Sequence, residues 1–379
     1  MSNVIKLPVY AKLSYVLIII IGLTYLFYIG QSILIPLLLS LFCAIVLKPI
    51  VIFLNIKLRL PSIIAAVIAV ALFVVLIIGI FTFISLQVSE MISDFDKIQK
   101  NATTHFSHLQ HFIKNNFRIS SKDQKLYLDQ ATKDSLGNGK EMIGITLHSF
   151  SDTVLNLILI PIYTFLILLY RNHFIVFLTK LFKKEDHLKL REILTQIKIS
   201  VKSYIVGLIL EMIFVSVLTT IGLLFIGIKY AILLGIITGI LNMIPYIGIL
   251  FAGFLTIIAS LTGSADLSII VGVIVVNFIV QLIDNNILVP LVVCSKIQIN
   301  AIATIVGIII GAAIAGVAGM FLAIPIIAIL KVIFDRIEGL EPWGYLLGDN
   351  LPKTHTWKNL KLPIYEFEND SNSSANPEK

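Results

Sequence analysis

Two acids stand in stretches that are otherwise without charge: Glu211, alone between Ser203 and Ile228, and Asp284, alone between Leu267 and Ser295. An ionised acid near the middle of a bilayer costs from about 2.5 kcal/mol upward, so such a group is protonated, paired or turned toward water. A carboxyl in that setting can carry a proton; the plain alternative is a structural hydrogen bond to a neighbouring helix or subunit. Polar side chains crowd the second acid, where Asn277, Gln281, Asp284, Asn285 and Asn286 precede Pro290. Another group, Asn242, Pro245, Tyr246 and Gly248, lies deep in the longest uncharged run. Proline and glycine in mid-span mark places where a helix opens, and freed carbonyls there can coordinate cations. With Glu211, these nine residues form the candidate substrate or ion path. A third region, Gly307, Gly311, Gly316, Gly319 and Pro325, has spacing suited to close helix approach and predicts a kink over Gly319 to Pro325. Helix packing alone accounts for that third pattern as readily as function does.

Other signals carry less. Gly222 to Lys229 has a phosphate-loop outline, but one extra residue precedes the lysine and no Ser or Thr follows it. His105, His108 and His111 recur every third residue, drift around a helix and lack an acid to complete a metal site; a solvated face explains them. No HExxH and no GxSxG occurs, which argues against intramembrane hydrolysis. Cys43 and Cys294 belong to no CxxC or ligand spacing. The reading is therefore no enzyme, no cofactor and no metal. Lys48 and Lys202, near the ends of apolar runs, are read as snorkelling to the surface.

The elements that must hold these residues are membrane spans. Apolar residues make up 58% of the 379 and charged residues 13%, about half the charged share of a soluble domain; mean hydropathy is +0.97. The chain is uncharged from Leu13 to Leu47, Leu60 to Ser89, Thr153 to Tyr170, Tyr230 to Ala265 and Ile297 to Leu330. About 20 apolar residues cross a bilayer. The expected fold is all-α and polytopic, with about eight transmembrane segments, broken or re-entrant helices and a small helical soluble insert.

Spans are expected at about 13–29 and 32–55, broken at Gly30-Gln31-Ser32, then from Pro61 to near Gln87, giving a first unit 1–87. Residues 88–151 turn polar, with Met91, Phe95, Ile98, Ala102, Leu109 and Ile113 in a heptad-like stripe and a turn at Gly137-Asn138-Gly139; this predicts a soluble helical hairpin. A second membrane unit covers 152–335, with spans at about 153–170 (containing Pro161), 203–227, 231–261, 267–290 and 300–333 and a basic connector at 171–202. The run of roughly 36 residues from Tyr230 would reach about 54 Å as a helix, against a core of about 30 Å, so a break or re-entrant turn is expected at Pro245–Gly248. Residues 336–379 form a polar tail whose end, from Asp370, has a disordered composition.

The net charge of +7 does not indicate nucleic acid, because the basic residues sit in short loops as topology determinants do. Placing Lys6 and Lys12, the 48–59 loop, the 171–202 connector and Lys331 with Arg336 on the cytoplasmic side satisfies the positive-inside rule and predicts that both termini are cytoplasmic. The first span is read as retained, since Pro8 and the lack of a small-residue cleavage site do not suit a signal peptide.

Three stretches resemble the signatures of the autoinducer-2 exporter family of bacterial membrane proteins: Leu241-Asn242-Met243-Ile244-Pro245-Tyr246-Ile247-Gly248, Gln281 through Pro290, and Gly316 through Pro325. They follow in the family's order, and the resemblance spans roughly 12–335. It implies a transporter of the bacterial inner membrane that exports a small polar metabolite such as the quorum-sensing signal autoinducer-2, or a sodium or lithium/proton antiporter. It further implies a homo-oligomer, a pentamer among the counts it admits, with a moving part of the elevator kind. The partners it names are the lipid bilayer and a small polar solute or monovalent cation. A non-transporting membrane scaffold that binds a partner through 88–151 stays open beside these.

Overall fold

The computed structural model describes residues 9–94, 97, 100, 101, 103, 104, 139–244, 247–260, 267–293 and 299–349. Pro245, Tyr246, Cys294, the three histidines, most of the expected soluble hairpin and the tail beyond 349 lie outside the described residues. The described chain is helical: α1 Val9–Lys57, α2 Ser62–Ser93, α3 Gly139–Leu181, a 3-10 turn Lys184–Asp186, α4 His187–Ile226, α5 Ala231–Asn242, α6 Ile247–Ser260, α7 Leu267–Ile283 continued by π-helical turns over Asp284–Val293, α8 Ala301–Phe334 and α9 Glu341–Leu347. Among the described residues six stretches are long and apolar enough to cross a membrane, and α5 and α6 are shorter apolar helices. This is a polytopic membrane fold.

The expected break at Gly30 does not occur; α1 is one helix of 49 residues. A single helical glycine costs only about 1 kcal/mol, and apolar surroundings hold every backbone group in the helical ladder. A continuous helix keeps its ends apart by about 74 Å at 1.5 Å per residue. The placing of both the N-terminus and the 48–59 loop on one side of a membrane therefore does not follow from this fold.

Two bodies are visible in the packing. In one, Ala44, Leu47 and Val51 of α1, Ala65, Ala66, Ala69 and Val70 of α2 and Leu168 of α3 form a single buried cluster. Ser40 fastens α1 to α3: its hydroxyl donates to the carbonyls of Pro36 (2.5 Å) and Ile160 (2.9 Å), beside Pro161, whose missing N–H leaves the ladder incomplete. The other body is built from α4 to α8.

Within it, α4 ends at Gly227, whose φ of +82° is left-handed, and the N–H of Ile228 returns to the Leu223 carbonyl. The chain reverses at once. Gly235 and Gly239 then press α5 against the backbone of Ser216 and Met212 on α4, too close for a side chain. The α5–α6 pair is itself a hairpin: Gly248 sits on the Leu241 carbonyl at its tip, while Ala259 near the end of α6 shares a cluster with Tyr230, Ala231 and Leu233 at the start of α5. The expected break in the long uncharged run is thus present, and its arms of 12 and 14 residues, about 18 and 21 Å, are each too short to cross.

The expected span over 300–333 is also a hairpin. Ala315 and Gly316 leave helical geometry, Gly316 at φ +57°, and Gly311 and Gly319 meet backbone to backbone. Gly307 faces Ile327, and an antiparallel bridge joins Ile299 to Gly348, so both ends of α8 lie together. The reversal falls at Gly316, because only a residue without Cβ adopts that backbone cheaply. Pro325, expected to kink the chain, lies buried inside the second arm.

The two bodies share an apolar cluster, in which Phe42 of α1 packs with Val201 and Tyr204 of α4 and Ile308 and Leu322 of α8, and they also meet at a polar knot. Asp94, which ends α2 and is 8% exposed, accepts hydrogen bonds from Lys229 Nζ (2.6 Å), the Tyr230 hydroxyl (2.8 Å) and Lys97 Nζ (2.8 Å). The Lys229 hydrogen bond, foremost, holds the Asp94 carboxyl well below its ordinary 3.8; the same bond holds the Lys229 ammonium well above its ordinary 10.5. A lowered acid contributes stability above its unfolded pKa and loses it as pH falls through the folded value. A raised base contributes below its unfolded pKa and loses it as pH rises through the folded one. Between those limits the knot is constant. Asp94→Asn is accordingly expected to lower the thermal unfolding midpoint by the same amount at pH 5, 7 and 9; a loss that changed across this window would contradict the assignment.

Candidate functional site

Reversal at Gly227 lays α5 back along α4 and sets Asn242, the last residue of α5, opposite Glu211. α7 approaches from the other side and delivers Asp284 where α-helical turns give way to π-helical ones. Such widened turns redirect one side chain without ending the helix, and they recur at functional sites. The Asn242 amide joins the two acids, donating to Glu211 Oε1 at 2.9 Å and to Asp284 Oδ2 at 3.0 Å. All three residues are buried, at 6%, 6% and 3% exposure for Glu211, Asn242 and Asp284. One neutral amide thus stands between two carboxyls, and among the described residues no Lys, Arg or His pairs with either.

Beside this bridge is a cavity of about 30 Å³, lined by Val215, Thr238, Asn242, Ala252, Asn277, Val280, Gln281 and Asp284. Three of its liners present buried polar atoms without a hydrogen-bond partner: Asp284 Oδ1, Thr238 Oγ1 and Asn277 Nδ2. Unsatisfied buried polar groups are uncommon and call for water, an ion or a ligand, and the volume suits one occupant of about that size.

The structure therefore brings together Glu211, Asn242, Asn277, Gln281 and Asp284 from three helices distant in sequence. It does not bring Asn285 and Asn286 to the cavity. Both are exposed and do not line it, Asn285 accepting from Gln281 Nε2 (2.9 Å) and Asn286 donating to the Leu282 carbonyl (2.8 Å). Gly248 shapes the hairpin tip, on the Leu241 carbonyl, and does not line the cavity. Thr238 was not among the sequence candidates, although it lies four residues before Asn242, one turn away on the same helix face.

Residues 17–339 match the family described as AI-2E family transporter, nearly the whole chain. The chain belongs to the AI-2E family of transporters. This family member is 28% identical over 290 residues to "Putative transport protein YueF" of Bacillus subtilis, covering 72% of this chain and 77% of that protein. A protein of the same designation in Escherichia coli, YhhT, is 22% identical over 345 residues, 90% of this chain and 95% of its own length. A third, YrrI of Bacillus subtilis, is 31% identical over 133 residues, 35% of this chain and 37% of its own. For an AI-2E transporter the three helices around Asn242 carry two of the quoted motifs, and the α8 hairpin carries the third: Met243 at the tip of α5 packs against a cluster containing Ile308 and Leu322 of α8.

Proposed function

We propose that this AI-2E transporter is a cation/proton exchanger in which Glu211 and Asp284, bridged by Asn242, bind a proton and a monovalent cation in alternation. The observation that carries it is the shared amide: two buried acids with no basic partner among the described residues need their charge balanced by a proton or a cation. Protons on the carboxyls do this in one condition. A cation in the adjoining cavity, held by Asp284 Oδ1 and the Thr238 hydroxyl, would do it in the other. Competition for one pair of acids couples the two ions once the site opens to the two sides of the membrane in turn. The basic 171–202 connector and the base of α8 face the cytoplasm in this reading, by the positive-inside rule, and the membrane is the bacterial inner membrane.

Export of a small polar metabolite such as autoinducer-2 is the second reading, and it draws on the family's description. It ranks below exchange because a cavity of about 30 Å³ accepts an ion or a water, not a ring-sized solute.

Proteoliposomes holding a pH-sensitive dye test the proposal. A jump in external sodium or lithium is expected to change internal pH, at a rate that saturates with cation concentration. Absence of any cation-dependent change from pH 6 to 9 would remove exchange and return the effort to metabolite efflux. Asn242→Ala should leave the protein folded and slow the exchange while retaining its cation dependence, since both acids remain but lose their common donor. Wild-type exchange rates in that variant would mean the bridge has no part in coupling.

A further inference from the structure

The cavity beside Asn242 does not account for every buried polar group of its body. Thr219 of α4 is wholly buried, and its Oγ1, like Thr238 Oγ1 and Asn277 Nδ2, has no hydrogen-bond partner. A helical threonine can return its hydroxyl to the carbonyl one turn back, as Thr82, Thr164, Thr195, Thr256 and Thr304 all do here. Thr219 and Thr238 depart from this. A buried hydroxyl that forgoes even that bond weakens the fold, and an apolar side chain of the same shape would serve packing better.

The packing sets Thr219 on the line of the cavity. Along α4, Glu211, Val215, Thr219 and Leu223 follow at one-turn intervals and are all buried, so they share one face. Val215 lines the cavity. Thr219 is the next turn, about 12 Å along the helix from Glu211. Beside it α7 runs antiparallel: Val215 clusters with Val280 and Leu223 with Val273, while Gly222 faces Val276. That register brings Thr219 level with Asn277, whose unpartnered amide belongs to the cavity wall. The polar groups thus form a file, from the Glu211–Asn242–Asp284 bridge through Thr238 and Asn277 to Thr219. It runs toward the Gly227 end of α4, where Leu223, Leu234 and Val273, buried in one apolar cluster, come next.

We propose that Thr219 is a further station on the ion's path, and that Leu223 and Val273 form an apolar gate between it and the Gly227 end. The proposal rests on the exchange assigned to Glu211 and Asp284 and gives that exchange a route to one side of the membrane. The ligand is a monovalent cation with its accompanying water. The Thr219 oxygen replaces part of the hydration as the cation leaves the Asp284 cavity. A dry constriction of leucine and valine holds back ions and water until the layer parts. Hydroxyls turned away from their own backbone are free to meet what passes.

Thiol labelling tests the route whether or not exchange is observed. The full chain carrying Cys43→Ser and Cys294→Ser is reconstituted, and Thr219→Cys in that background is treated with a small cationic methanethiosulfonate. Labelling is expected. Adding Leu223→Ala should speed it about tenfold or more, because truncating a buried leucine weakens closed packing by at least that factor. Ala69→Cys, buried as deeply in the α1–α2 cluster, should stay unlabelled. No labelling of Thr219→Cys in either background, a rate indifferent to Leu223→Ala, or equal labelling of Ala69→Cys would each overturn the proposal. A second arm reads exchange. Thr219→Val should slow cation-driven proton movement about fivefold, the worth of one hydrogen bond, with an unfolding midpoint equal to or above that of the native chain. A lowered midpoint with native exchange would make Thr219 a structural hydroxyl and end its part in the path. Labelling as expected in a chain without cation-driven exchange would uphold the gated route and remove the exchange reading alone.

Discussion

Glu211→Gln is expected to reduce sodium-driven proton movement in proteoliposomes to the level of protein-free vesicles while leaving the protein folded. Gln keeps the shape and an oxygen to accept from Asn242 Nδ2, now 2.9 Å from Oε1, so the bridge survives and only the titratable charge is lost. Asp284→Asn should have the same effect on flux and a larger one on cation binding, because Asp284 contributes the unpartnered Oδ1 to the cavity and Glu211 does not line it. The pair of variants thus separates two roles. Binding of the cation measured by calorimetry should persist in Glu211→Gln, weakened, and vanish in Asp284→Asn. Exchange that continues undiminished in both would end the proposal that these acids couple the ions.

Gly311→Ala and Gly319→Ala are expected to be the most damaging small substitutions in the membrane body. A Cβ at either position would run into the backbone of the other glycine, and no rotamer change relieves a backbone clash. Overpacking of this kind costs about 1–3 kcal/mol or more, enough to open the α8 hairpin. Gly253→Ala is the control, since a Cβ there meets nothing within 4 Å. Unfolding midpoints in detergent should fall for the first two and hold for the third. Equal midpoints in all three would show that the arms of α8 do not need this contact.

How far the sequence carried depended on what each feature asks of its neighbours. The membrane class follows from where charge is missing, which is a property of the chain alone. The break near Pro245–Gly248 was legible for the same reason, as a run too long for one crossing. The reversal in α8 was expected as a kink at Gly319–Pro325 and lies instead at Gly316. Proline, the strongest breaker in isolation, is accommodated in the buried second arm, whereas the decisive backbone angle belongs to one glycine among several. Gly30 misled in the opposite sense, because apolar surroundings keep a glycine helical. At the site, Glu211 and Asp284 were identified by being alone in uncharged runs. Their meeting on Asn242 was not, because it arises from the turn at Gly227 and the π-helical step, both of which are matters of geometry between helices. Asn285 and Asn286 read as part of the path through composition; both are exposed, and Asn285 reaches the cavity only through its bond to Gln281.

The bridge between Ile299 and Gly348 has a mechanical consequence. It is backed by the Asn300 N–H donating to the Leu347 carbonyl at 3.0 Å, and Gly344 of α9 lies against Asp335. The segment after α8 is therefore a buckle across the foot of the hairpin, reaching Gly348, nine residues past the end of the family match at 339. With its foot buckled and its arms packed against α1 and α4, the α8 hairpin is a cantilever whose tip, at Gly316 beside the exposed Val317, is the end least held.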